Sequence, residues 1–190
     1  MSASKIQGLV IVAVAIVLLS GCSSYTVAPY RHSTYGSELL RNLNVTDIAV
    51  GEFVTDSWAG NSKICPLSKL SKTIHLPKGD TLSSYFRNAL ISELKAAEVY
   101  AEEGAVTLSG AITDVDLVTT NYKGYLFIDS RHLKWEISIT VDSSNGESLS
   151  VMSATQAPRK CSEAAGKFAR AVKNTMFKLI GHKEFQRLVN

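Results

Sequence analysis

Three cysteines and four histidines carry most of the chemistry open to this 190-residue chain. A thiolate can be a nucleophile, a metal ligand, a lipid acceptor or half of a disulfide, and its surroundings decide which. The histidines, His32, His75, His132 and His182, stand singly. None has a second His or a Cys at metal-ligand spacing, so neither a metal nor another cofactor is expected. Asp114 and Asp116 would share one face of a regular strand, an arrangement that suits a surface calcium, a hydrolase dyad or simply a solvated strand end. The last of these is the expectation. There is no Gly-x-Ser-x-Gly elbow, no Walker loop and no dinucleotide fingerprint. No catalytic residue is therefore assigned, and the chain is expected not to be an enzyme. A secreted hydrolase with a noncontiguous site, such as a Cys-His pair built on Cys65 or Cys161, is the lesser alternative, and a disulfide would silence both thiols.

Cys22 has the most distinctive context. One cation, Lys5, precedes an uncharged apolar run from Leu9 to Leu19, and small polar residues follow. The run is of signal-peptide length and short of the ~20 apolar residues that span a bilayer. Leu19-Ser20-Gly21-Cys22 resembles the lipobox of bacterial lipoproteins at all four positions. That resemblance implies cleavage between Gly21 and Cys22, a diacylglycerol on the Cys22 thiol and acylation of the freed amine. An ordinary secretory signal with a chance Cys, or an uncleaved anchor, is the alternative. In enterobacterial-type sorting, Asp directly after the lipidated Cys retains such a protein at the inner membrane, so by that resemblance Ser23 implies the outer membrane, on its periplasmic face. The expected organisation is a signal peptide over 1–21, an acylated tether over 22–44 and a single periplasmic domain over 45–190.

Apolar residues make up 45% of the chain, typical of a globular fold. Without Lys5, nineteen basic side chains face seventeen acidic ones. That balance gives no reason to expect nucleic acid. With Cys22 committed to lipid, Cys65 and Cys161 are the one possible intramolecular pair, and an oxidising compartment favours a disulfide between them.

These residues need elements to position them. Ile48–Val54 reads as a strand, and 55–78 as a long loop that Cys65 would tie down. Asp80 or Thr81 can cap a helix whose apolar stripe is Leu82, Phe86, Ala89, Leu90, Leu94 and Ala97. Glu93 falls inside that stripe, so it either reaches water at the edge or is buried with a hydrogen-bonding or cationic partner. Val106–Ile112, continuing toward Leu117, alternates as a strand does. Leu133, Trp135, Ile137, Ile139 and Val141 alternate with polar residues in the strongest strand pattern of the chain. Asn145-Gly146 predicts a hairpin turn and a return strand through Leu149 and Val151. A second long helix starts near Pro158–Cys161 and buries Cys161, Ala164, Ala165, Phe168, Val172, Thr175, Met176 and Leu179. The expected fold class is α+β: a two-layer sandwich of a mainly antiparallel four-stranded sheet with both long helices on one face.

This layout resembles small periplasmic lipoproteins of the YajG-like family. The lipobox, the helix segment 90–100 ending in Tyr100, the Asn145-Gly146 turn and the closing Glu184-Phe185 carry the likeness. The order of elements is also similar to that of LptE and of the α/β modules of TolB and CsgG. The Cys-Gly-Phe of LptE is absent, since Cys22-Ser23-Ser24 stands here. The YajG-like resemblance implies no established chemistry.

Two surfaces are the candidates for interaction. One is the cationic back of the last long helix, Lys167, Arg170, Lys173 and Lys178, within a stretch (159–190) holding eight Lys/Arg against two Glu. It suits an anionic lipid, lipopolysaccharide or an acidic partner; a plain solvated helix face is the alternative. The other is Tyr122-Lys-Gly-Tyr125-Leu126-Phe127-Ile128, which is either a partner contact through Tyr122, Tyr125 and Phe127 or a continuing buried strand. The expected role is a non-enzymatic binding or accessory protein of the cell envelope. The membrane is reached through the N-terminal lipid, and an envelope protein or an anionic lipid or polymer is the partner. An accessory to lipid or lipopolysaccharide transport is the alternative.

Overall fold

The structure, a computed structural model, describes residues 24–55, 62–66, 72–123 and 129–190, with side chains except at 121–123 and 129–131. Its centre is a four-stranded sheet in the order β2-β5-β6-β7, from β2 (Ile48–Thr55), β5 (Val106–Lys123), β6 (Asp129–Ser143) and β7 (Ser148–Ala157). β5–β6 and β6–β7 are antiparallel, while β2 runs parallel to β5. The parallel pair needs a crossover, and helix α2 (Leu82–Ala96) lies within it.

Alternation explains the layers. Leu133, Trp135, Ile137, Ile139 and Val141 of β6 are buried, and β7 buries every second residue from Leu149 to Ala157. The second long helix, α3 (Cys161–Ile180), covers the same face as α2. Its Phe168 ring meets both Tyr85 of α2 (centroids 5.6 Å apart) and Trp135 of β6 (4.9 Å). The Trp135 indole N–H donates to the Ala164 carbonyl at 2.9 Å, so this large buried ring leaves no indole donor unsatisfied. Thr81 caps α2 through a capping box with Ser84. Two glycines are required by the geometry. Gly146 has φ +93° in the β6–β7 turn, and a Cβ on Gly110 would overlap the Phe53 ring. At a bulge in β2 between Val50 and Phe53, the Arg87 guanidinium of α2 donates to the Val50 and Gly51 carbonyls at 2.9 and 2.8 Å.

Two expectations need correction, and one strand runs further than its local alternation marks. Within the described part of the expected tether there is instead a strand, β1 (Ser24–Thr26), and a helix, α1 (Thr34–Asn42), with Val27 and Leu40 buried in the core. The segment lacks a strong period because distant partners hold it in place. The expected long loop over 55–78 contains β3 (Ser62–Ile64) and β4 (Thr73–His75), which join β1 in a second sheet, β1-β4-β3. Finally, β5 and β6 pair out to Lys123↔Asp129, beyond the last β7 pair at Leu133↔Ala157. The hairpin therefore outruns its neighbours as a two-stranded arm. A short helix, α4 (Phe185–Val189), closes the chain.

Candidate functional site

The two cysteines expected to pair are joined: Cys65, just after β3, and Cys161, the first residue of α3, form a disulfide with Cα atoms 6.0 Å apart. Both are buried. The bond ties the small sheet to the start of α3 and leaves neither thiol free for catalysis. Gly21 and Cys22 lie outside the described residues.

The cationic face of α3 is divided. At 100° per residue Lys167 and Lys178 fall on one line of the helix, while Arg170 and Lys173 drift progressively to the side. Arg170 and Lys173 line a cleft of about 530 Å³ together with Arg31, Ala28, Pro29 and Ala169. Lys173 Nζ donates to the His32 carbonyl at 3.2 Å, which fixes the N-terminal segment against α3. Three cations thus surround a cleft whose remaining walls are apolar. Arg31 was not among the expected site residues. It belongs to a segment whose sequence reads as a tether, and no local pattern marks it.

Lys178 takes part in a different cleft, with Val151, Met152, Phe177, Gly181 and His182. Its Nζ donates to the Met152 carbonyl at 3.0 Å. Met152 and Phe177 are exposed, and Tyr35 of α1, also exposed, packs its ring on Phe177 at 5.1 Å. The back of α3 therefore has a cleft with three cations on one flank and, on the other, a mixed one in which Ser150, Lys178 and His182 accompany the apolar side chains. Lys167 is half-buried and lines neither.

The N-terminal segment is also held by a buried carboxylate. Glu93 of α2 is 1% exposed, which decides between its two expected settings. Its Oε1 accepts from the Tyr30 hydroxyl at 2.5 Å and from the Ser33 backbone N–H at 2.9 Å. Ser33 is the N-cap of α1, so the carboxylate sits at the positive end of that helix. Burial first, and then the hydrogen bond to Glu93 and its charge, push the Tyr30 phenol far above its ordinary range. Burial, with a smaller effect of Asp80, does the same to Tyr85, whose hydroxyl donates to the Ala28 carbonyl at 2.8 Å. These groups are anchors for the strap that carries Arg31.

Asp114 is exposed, and Asp116 is engaged in an ion pair with Lys63 of β3. Among the described residues no group of three His, Cys, Asp or Glu could hold a metal ion. Tyr122 lies in β5 opposite Ser130, and its side chain is outside what is described. Tyr125 and Phe127 lie outside the described residues, between the paired ends Lys123 and Asp129.

No protein-family model and no curated protein matches this chain. Among solved structures it is similar to protein XCC0632 from Xanthomonas campestris, described as family DUF330. The TM-score is 0.57 and the identity 8%, covering 87% of this chain and 96% of that one. At that identity the likeness establishes the fold alone, an α+β architecture.

Proposed function

We propose that this protein is a lipid-anchored lipoprotein of the outer membrane, facing the periplasm, that works without catalysis by binding an anionic component of the envelope. One observation carries this reading: Arg31, Arg170 and Lys173, from chain segments about 140 residues apart, converge on a single cleft with apolar walls. Arg is well suited to bidentate capture of phosphate or carboxylate, and Lys adds a point charge. The Leu19–Cys22 lipobox supports the anchor, and the disulfide suits an oxidising compartment.

The test is crosslinking in intact cells with the wild type and with an Arg31→Glu, Arg170→Glu, Lys173→Glu variant. The reading expects the variant to stay folded and anchored and to lose its anionic partner. An unchanged crosslinking pattern would remove the cleft from the account. The apolar walls Ala28, Pro29 and Ala169 favour one second reading, an accessory to lipid or lipopolysaccharide transport, because an amphiphile would use both walls and cations. The exposed Met152 and Phe177 supply a separate surface for a protein partner. Substitution there would spare the anionic ligand and change only protein crosslinks.

A further inference from the structure

We infer that the end of the molecule bearing Ile64, Lys72, Arg159 and Lys160 rests directly on an anionic phospholipid surface. The inference depends on the proposed acylation of Cys22 and adds to it an orientation. Strand β1 starts at Ser24, two residues after Cys22, a reach of at most ~7 Å in extended chain. An acylated Cys22 would therefore hold this strand beside the headgroups, with no long tether between.

Register shows what else lies there. Ser24 pairs with Thr73 and Thr73 with Ile64, so the three form one row across the small sheet. With strands ~4.8 Å apart, Ile64 lies roughly 10 Å from Ser24. It is 64% exposed, unusual for an isoleucine beside a packed core. Cys65 follows it and is bonded to Cys161, which brings Arg159 and Lys160 to the same end, both exposed. Lys72 precedes Thr73, and its Nζ donates to the Tyr25 hydroxyl at 3.2 Å. Among the described residues the nearby acids are Glu163, exposed and 3.5 Å from Lys160, and Asp116, already held by Lys63. Among these residues cations therefore outnumber free acids around an exposed aliphatic side chain, a composition suited to an anionic interface.

The orientation has a consequence for the cleft. Ala169 lies eight residues beyond Cys161 along α3, about 12 Å at 1.5 Å per residue. The Arg31–Arg170–Lys173 cleft would then stand clear of the headgroups and open to the aqueous side.

The experiment uses the full acylated protein on phosphatidylglycerol-containing vesicles with brominated phospholipid. Tryptophan is placed at Ile64→Trp or, as a control, at Tyr35→Trp, whose neighbour Phe177 is sixteen residues along α3 from Cys161. The wild-type emission of Trp58 and Trp135 is subtracted. Stronger quenching at position 64 than at 35 is expected. Arg159→Glu with Lys160→Glu should reduce it roughly twofold on anionic vesicles and leave zwitterionic ones unchanged. Equal quenching at the two positions, with the protein still on the vesicles, overturns the docked orientation while sparing the anchor. Quenching at 64 that ignores both vesicle charge and the charge reversal overturns the anionic preference. A protein that carries no diacylglycerol mass and does not float with vesicles overturns the anchor, and the inference with it.

Discussion

The two ends of the long sheet are built differently. At the end holding the Asn145-Gly146 turn, polar groups are tied to neighbours. The Ser143 hydroxyl donates to the Leu188 carbonyl at 2.6 Å, the Asn145 side-chain amide donates to the Arg187 carbonyl at 2.9 Å, and the Ser144 N–H donates to the Thr107 carbonyl at 2.9 Å. Helix α4 lies over the turn with Phe185, Leu188 and Val189 buried. At the other end β7 stops at Ala157 while β5 and β6 run on, and the small sheet and α3 are joined by a covalent bond. One end is closed by burial and hydrogen bonds. The other is stapled and keeps cations and an aliphatic side chain in contact with solvent. A stapled end can remain rigid without being covered, which is what a docking surface requires.

The largest expected effect on stability is at the staple. Cys161→Ser should cost up to about 4.7 kcal/mol by the chain-entropy model for a loop of this length, read as a lower urea midpoint against the non-reduced wild type. A loss below ~1 kcal/mol would mean that the open end is held by packing after all, and the contrast between the ends would fail. Next comes the buried tie to the N-terminal strap. Glu93→Ala leaves the Tyr30 hydroxyl and Ser33 N–H without their acceptor and should cost about 2–3 kcal/mol. Because the strap carries Arg31, the same variant should weaken anionic binding, whereas Asn145→Ala at the closed end should not. Asn145→Ala should itself cost ~1 kcal/mol, by loss of its bond to the Arg187 carbonyl. If Asn145→Ala impaired binding as strongly as Glu93→Ala, the hold of Glu93 on the strap would not be what sets the Arg31 side of the cleft.

A pH titration sharpens the comparison further. The Tyr30 phenol is raised above its ordinary value of 10.0, so the folded state favours the neutral form. Its contribution is fully present below about pH 10 and falls away as the pH rises beyond it. Tyr85 acts in the same direction. Tyr30→Phe should therefore flatten the alkaline loss of stability above pH 10, in denaturant melts taken at successive pH values. Parallel curves for variant and wild type would mean that Tyr30 ionises without consequence for the fold. The smallest effect is at the cleft, where Arg170→Glu should change stability by less than ~0.5 kcal/mol, as exposed substitutions do.

Much of this organisation is legible in the sequence, for identifiable reasons. The stripes of α2 and α3, the alternation of β6 and the Asn145-Gly146 turn are local patterns, and each corresponds to an element observed. The pairing of Cys65 with Cys161 follows from composition and from the proposed fate of Cys22. What escapes the sequence depends on distant partners. Helix α1 has an ordinary cap in Ser33, but its place is set by Glu93, sixty residues later. Strands β1, β3 and β4 are three residues each, too short to show a period, and exist because they pair with one another. Alternation in β2 and β5 cannot reveal that the two run parallel. The cleft is hidden for the same reason: Arg31 joins Arg170 and Lys173 only after the strap is in place, and of the α3 cations read from the sequence as one face, Arg170 and Lys173 line one cleft, Lys178 another and Lys167 neither.

The most direct test of the account is metabolic labelling with palmitate, combined with the intact mass of the protein recovered from outer membranes. The wild type should carry label and a mass matching a chain cleaved before Cys22 and bearing acyl groups, while Cys22→Ala should carry none and leave the membrane fraction. A wild-type protein without lipid, or a Cys22→Ala variant labelled like the wild type, would contradict the anchor on which the orientation and the envelope role depend.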